Sequence, residues 1–365
     1  MQLSAQVTAL SQALRQASRS RHHRLHLLLH RYQQWLRDPE AWLTSGDPPG
    51  YSYACPEGEG VGVKPTPLPH RVIAADGSQL SINHHELFPC MLINVGLVSL
   101  TYGTGQRPLL RSVPYLLAQQ PAHQSAQQTD WTGDLDGETA LAWQRSLQEI
   151  QLLAETALAQ QDNIPQIALV DGSLLAWGLE GLAQEVQRRC LQPWLGWMAQ
   201  LQQARIPILG YVSVPRSREV VGYLRRGEAE DPFWGLQDRH LWAEILQPGQ
   251  ASSLWISGSR LNSLYGEQRI YACYVHGGKE VARLEFPAWL AKDAEMLSQS
   301  LGMVLAQVEK GQGYPVSLAE AHHLAVVRSS DRRRFLALLE RELIRSGLEQ
   351  VQVSPKQARK RHTSV

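Results

Sequence analysis

The sequence predicts an α/β protein, a mixed β-sheet flanked by helices and preceded by an N-terminal helical arm. Three observations carry this prediction. Short apolar, β-branched runs alternate with helical patterns through the centre of the chain. Strand-like runs cluster from Arg71 onward, ahead of the first long central helix. Residues 3–37 contain neither Pro nor Gly and repeat apolar residues at helical spacing. With 365 residues the chain lies near the size at which single cores stop growing. Composition divides it into an arm over 1–45, a Gly/Pro-rich linker over 46–70, one large domain over 71–346 and a basic tail over 347–365.

On the arm, Leu25, Leu28, Leu29, Tyr32, Trp35 and Leu36 form an apolar stripe. Such a stripe needs something to bury against, either the main domain or a second subunit. The runs SGDPPG and CPEGEGVGVKPTPLP make the linker a surface loop. RVIAADGSQL reads as a short strand, Arg71–Ala75, ending in an Asp-Gly turn. CMLINVGLVSLTYG is a second strand that turns near Tyr102-Gly103, and LLRSVPYLL is a third. The polar, Gln-rich stretch 116–136 and the mixed stretch 227–269 are long excursions of the kind that often carry function.

A helix over 138–161 turns Leu141, Leu147, Ile150, Leu153 and Ala154 one way. IPQIALVDGSLLAW follows as a strand ending in Asp-Gly-Ser. Residues 181–204 are helical, with Leu182, Val186, Leu191 and Leu195 inward and Pro193 expected to kink or break the helix. IPILGYVSVP is a buried strand, and Ser217 is expected to cap the helix after it. RIYACYVHGG and KEVARLEFP pair across a Gly-Gly turn. AWLAKDAEMLSQSLGMVLAQVEKG is a helix, Ser317 caps another, and 331–346 form the last.

Composition excludes several classes. The formal net charge of +1 points to no partner by itself. Cys55, Cys90, Cys190 and Cys273 are far apart and form no CxxC pair, which argues against a zinc ribbon and a disulfide framework. No signal-like segment opens the chain and no apolar run approaches membrane-spanning length, so a cytoplasmic, reduced protein without a membrane partner is expected. No GxxxxGK[ST] segment occurs, so ATP hydrolysis is not expected. Eleven Trp and eleven Tyr against four Phe suit a groove that stacks bases as well as they suit a core.

The informative feature is a repeated local design. Asp76-Gly77-Ser78 and Asp171-Gly172-Ser173 each follow a short apolar strand. If those strands are neighbours, two carboxylates meet, which is costly unless a cation or a proton joins them. A divalent ion does this and also lowers the pKa of bound water. Glu149 lies four residues after Arg145 on one face of the helix that precedes the second strand. An i,i+4 salt bridge explains that pair equally well. Basic residues cluster in four places. Arg15, Arg19, Arg21, Arg24, Arg31 and Arg37 occupy 15–37 without an acid among them. Arg216 and Arg218 flank Ser217 at a helix start, Arg332, Arg333 and Arg334 open the last helix, and the tail runs Lys-Gln-Ala-Arg-Lys-Arg-His from Lys356. Each is a candidate phosphate contact or a solvated face.

In combination, AADGSQL at 74–80, INVGLVSLTYG at 93–103, RSLQE at 145–149, LVDGSLLAW at 169–177, ILGYVSVPRSREVVGYLR at 208–225 and GYPVSLAEAHHLAVVRSSDRRRF at 313–335 resemble the NurA family of DNA-end-processing nucleases, in its cyanobacterial form. The resemblance implies a ribonuclease-H-like fold and a manganese (or magnesium) centre held by Asp76, Glu149, Asp171 and His322. Tyr314 would join these four as a catalytic residue. His322 is preferred over its neighbour His323 because Ala321-His322 fits the family pattern. It further implies 5′-to-3′ exonuclease and single-strand endonuclease activity in end resection and break repair, a homodimer, and a HerA-type hexameric DNA translocase as partner. Arg145, Arg216, Arg218 and Arg332 to Arg334 are the expected DNA contacts. The alternatives are a non-catalytic DNA-binding component of a repair complex and a ribonuclease of similar fold.

Overall fold

The computed structural model describes residues 2–44, 54–56, 62–82, 90–118, 135, 137–160 and 162–346. Most of the Gly/Pro-rich linker, most of the Gln-rich excursion and the basic tail lie outside them. In chain order the elements begin with α1 (Gln2–Arg37), α2 (Pro39–Thr44), β1 (Cys55–Pro56), β2 (His70–Ile82), β3 (Cys90–Tyr102) and β4 (Leu109–Ala118). Next come α3 (Gly137–Ala159), β5 (Gln166–Asp171), α4 (Gln184–Gln203), β6 (Ile208–Val212), α5 (Glu219–Leu224) and α6 (Asp238–Ile245). β7 (Trp255–Ile256), β8 (Ile270–His276), β9 (Val281–Pro287), α7 (Ala288–Ala291), α8 (Ala294–Lys310), α9 (Val316–Ala325) and α10 (Ser329–Arg345) complete the order. Among the described residues no helix is long and apolar enough to cross a membrane.

The chain forms two compact units. One comprises Met1–Thr66, Gly172–Leu175 and Leu209–Tyr314. The other comprises Pro67–Asp171, Ala176–Ile208 and Pro315–Val365.

In the first unit β7, β8, β9 and β6 pair antiparallel in that order, with β1 beside β7. The hairpin of β8 and β9 turns at Gly277-Gly278, as the sequence predicts. The apolar stripe of α1 finds its partner here: Leu28 is fully buried, Trp35 nearly so, and Leu25, Leu29 and Tyr32 pack partly against Trp242, Trp255 and Tyr223. Leu36, expected on that stripe, is exposed. Ser217 does not cap α5. Its hydroxyl bonds the Tyr274 hydroxyl, and the buried Asp238 carboxylate accepts from Glu219 N and Val221 N instead. The helix expected from Ala288 is broken into α7 and α8, because Asp293 caps the second piece by accepting from Met296 N.

The second unit holds a mixed sheet. β2 pairs antiparallel with β3, β3 antiparallel with β4, and β2 parallel with β5. α3 packs on β2 with α4 behind it, and α9 lies across β2 and β3. The expected inward residues of α3 are all buried. α4 runs through Pro193 without a break and buries Cys190, Leu191, Trp194, Met198 and Leu201, while Val186 and Leu195 are half-buried. Ser317 sits inside α9, whose N-cap is Pro315. The mixed sheet flanked by helices is the α/β arrangement expected from the sequence.

Candidate metal centre

The first Asp-Gly-Ser is not the turn that the sequence suggests. β2 continues through it to Ile82, with Asp76 opposite Gly96 of β3. Glycine is needed at 77 for a different reason. A Cβ there would stand 2.3 Å from Glu149 Oε1 and 2.8 Å from Arg145 Cγ, so its absence lets the helix α3 carboxylate lie against the strand backbone. The second Asp-Gly-Ser does turn: β5 ends at Asp171, and Gly172 has φ +108°. Because β2 and β5 are parallel with Ala75 opposite Val170, Asp76 and Asp171 come next in register on neighbouring strands.

Glu149 closes this group from α3. It is buried, and Arg145 Nε lies 3.2 Å from its Oε1. Burial pushes its carboxyl up to about 8. Arg145 opposes that rise, while the charges of Asp76 and Asp171 add to it. Glu149 Oε1 is also a buried oxygen without a hydrogen-bond partner in good geometry.

α9 brings His322 from the other side. A close approach fixes this helix on the sheet, since a Cβ on Gly96 would stand 2.0 Å from Ala321 O. Ser78 Oγ and Asn94 Nδ2 both donate to Ala325 O, and Asn94 Nδ2 also reaches Leu324 O. His322 Nδ1 then lies 2.7 Å from Asp76 Oδ2. His323 points elsewhere, 4.0 Å from Glu320 on its own helix and largely exposed. Asp76 Oδ1 accepts from Gly77 N at 2.8 Å.

The hydroxyls after each Asp-Gly serve the scaffold. Ser78 bonds α9 as above, and Ser173 Oγ donates to Glu285 Oε2 at 2.6 Å, where Leu174 N also donates at 2.8 Å. Sequence reasoning missed the buried charge network around Glu285. Arg283 pairs with Glu219 and with Glu285, all of them buried. Two charged residues inside the apolar strand β9 and one at the start of α5 were its only signal.

The remaining expected residues are dispersed. Tyr314 belongs to the first unit and meets Tyr211 edge-on at 5.4 Å. Arg218 is committed to Asp231 at 2.8 Å and to the carbonyls of Phe233 and Leu236, so it braces the loop after α5. Arg216 is exposed. Arg333 and Arg334 are exposed on the first turns of α10, and Arg332, just before them, is half-buried.

The donor set, three carboxylates and an imidazole, suits a hard divalent cation such as Mn²⁺ or Mg²⁺. The orphaned Glu149 oxygen and its raised proton affinity fit a place where positive charge is wanted. Among the described residues no three His, Cys, Asp or Glu side chains already surround one point. Asp76 is turned to His322 and Glu149 to Arg145.

A profile of the NurA domain matches residues 70–327. No curated protein sequence matches the chain. Among solved structures the chain is similar to the NurA nuclease from Sulfolobus solfataricus, at 12% identity and a TM-score of 0.52 over 87% of this chain and 93% of that one. It is also similar to NurA bound to dAMP and manganese, at 11% identity and a TM-score of 0.40 over 81% of this chain and 92% of that one. The catalytic domain of human Endonuclease V gives 12% identity and a TM-score of 0.32 over 77% and 92%. The first of these shows a shared fold. With the domain matched over more than half of its length, the chain belongs to the NurA domain family.

Proposed function

We propose that the protein is a Mn²⁺- or Mg²⁺-dependent DNA nuclease that trims DNA ends, 5′ to 3′, and cuts single strands internally. One observation carries this reading: Asp76 and Asp171 come next in register on adjacent parallel strands, and the buried Glu149 carboxylate feels both of their charges. Asp76, Glu149, Asp171 and His322 would hold the ion. When bound, the metal supplies Lewis acidity toward a phosphoryl oxygen and lowers the pKa of a water.

The chain's own groups do the rest. At neutral pH the Glu149 carboxyl keeps a proton, which offsets the repulsion among three acids. Glu149 would have to give up that proton to hold a cation. Arg145 holds the Glu149 carboxylate toward Gly77. His322 orients Asp76 through Nδ1, which leaves Nε2 on the far edge of the ring to meet a ligand or a phosphate. Arg216 and Arg332 to Arg334 contact the DNA backbone, while Arg218 keeps its loop in place. Tyr314 completes the catalytic set by family resemblance. The same resemblance supports a homodimer and a HerA-type translocase partner in break repair. The apolar stripe of α1 is spent within its own unit and no longer argues for a dimer.

A panel of end-labelled duplex DNA, single-stranded DNA and RNA, incubated with Mn²⁺, Mg²⁺ or chelator, tests the proposal. Metal-dependent shortening of DNA supports it. Cleavage of RNA alone, or of nothing, removes it.

A further inference from the structure

The exposed face of α1 carries histidines at helical spacing. His22 and His26 stand one turn apart, and their Nε2 atoms lie 3.0 Å from each other. The rings meet edge to face, with centroids 4.5 Å apart and planes at 88°. Among the described residues neither ring has another hydrogen-bond partner. Both rings are exposed.

We propose that His22 and His26 form a two-imidazole site for a borderline divalent transition-metal ion: Ni²⁺, Cu²⁺ or Zn²⁺. Metal–nitrogen bonds are about 2.0–2.1 Å long, so two nitrogens 3.0 Å apart subtend roughly 90–95° at an ion bound to both. That is the angle between neighbouring ligands in square-planar and octahedral coordination, which suits Cu²⁺ and Ni²⁺. A tetrahedral Zn²⁺ needs the nitrogens about 0.3 Å further apart, a small adjustment for two exposed rings. Water completes the coordination.

The backbone beneath the pair is held. Leu28 is fully buried in the core of its unit, Leu25 packs partly against it, and Arg31 donates to Leu224 O and Arg226 O. Arg24, the nearest cation between the two histidines in sequence, is drawn away. Its guanidinium bonds Ser20 Oγ at 2.9 Å and lies over the Trp234 ring at 5.7 Å. Imidazole nitrogen prefers these later transition ions, whereas the carboxylates of the acidic centre prefer Mn²⁺ and Mg²⁺. The two sites therefore select different metals. Because both ligands align only when this turn is helical, the ion also stabilises α1.

Titration calorimetry with nickel chloride on the full chain without an affinity tag tests the site, in excess Mg²⁺ to block the carboxylates. The unaltered protein should bind one equivalent through the pair. His22→Gln and His26→Gln should each weaken that equivalent at least tenfold, with helix content by circular dichroism unchanged. His276→Gln, on β8, and Asp76→Asn should both retain it. The proposal is overturned if either His22→Gln or His26→Gln keeps full affinity, or if Asp76→Asn abolishes the same equivalent.

Discussion

Replacing Glu149 by Gln isolates the electrostatics of the acidic centre, because the amide keeps the shape of the protonated acid and cannot ionise. In the folded protein the Glu149 carboxyl is pushed from 4.5 up to about 8, chiefly by burial. A group raised in this way lends its full stability below its unfolded value and loses it as pH climbs through its folded value. Between those values the unfolded chain carries the ionised acid and the folded protein the neutral one. The gap between 4.5 and about 8, at about 1.4 kcal/mol per pH unit, corresponds to about 5 kcal/mol at its limit. Relative to the unaltered protein, Glu149→Gln should thus gain about 1 kcal/mol at pH 5, about 3 at pH 7 and close to 5 above pH 9. Any constant offset from the amide itself leaves this slope untouched. Urea denaturation in chelator from pH 5 to 9, at one protein concentration, reads it directly. Adding Mn²⁺ should reverse the order, stabilising the unaltered protein and leaving the variant behind. A stability difference that stays flat across this range would show that Glu149 ionises like an exposed acid, and the reasoning about the centre would fail.

Three further outcomes follow from the same geometry. Gly77→Ala, whose Cβ meets the buried Glu149 carboxyl and Arg145 Cγ, should cost about 1–3 kcal/mol and abolish Mn²⁺ binding by moving Glu149; Gly96→Ala, whose Cβ meets the backbone Ala321 O, should cost about 3 kcal/mol or more in the same melts. Changing Arg216, Arg332, Arg333 and Arg334 together to Ala should weaken binding to every duplex sequence and flatten the salt slope by up to about 3.6, read by anisotropy at several salt concentrations; an unchanged slope makes them plain surface charges. Light scattering at micromolar concentration should give twice the 40.9 kDa chain mass, and a monomer over a tenfold dilution range refutes the dimer.

Much of the fold was legible because period and length were unambiguous. The pattern over 138–161 became α3 with every expected residue buried, and the β8–β9 hairpin formed at its Gly-Gly turn. The pairing of Asp76 with Asp171 followed from two matching strand ends, although only one is an end. Gly77 defeated the turn reading because its cause, the Glu149 carboxylate, arrives from a helix more than seventy residues later. The α5 cap failed for the same kind of reason: Asp238, nineteen residues beyond Glu219, outcompeted the local Ser217. Arg218 looked like a phosphate contact until a loop acid, Asp231, turned it into a brace. Local pattern reports local chemistry, and each of these was decided by a partner distant in sequence.

The most direct test of the central claim is cleavage of an end-labelled duplex at saturating Mn²⁺ by Asp76→Asn and Asp171→Asn, with DNA affinity measured on the same proteins in chelator. Each substitution keeps side-chain shape and removes one of the charges that would hold the ion. Both variants should fold, bind DNA with affinity close to that of the unaltered chain, and cleave at least a hundredfold more slowly. Variants that cut as fast as the unaltered protein would show that Asp76 and Asp171 are only strand residues, and would contradict the metal centre proposed here.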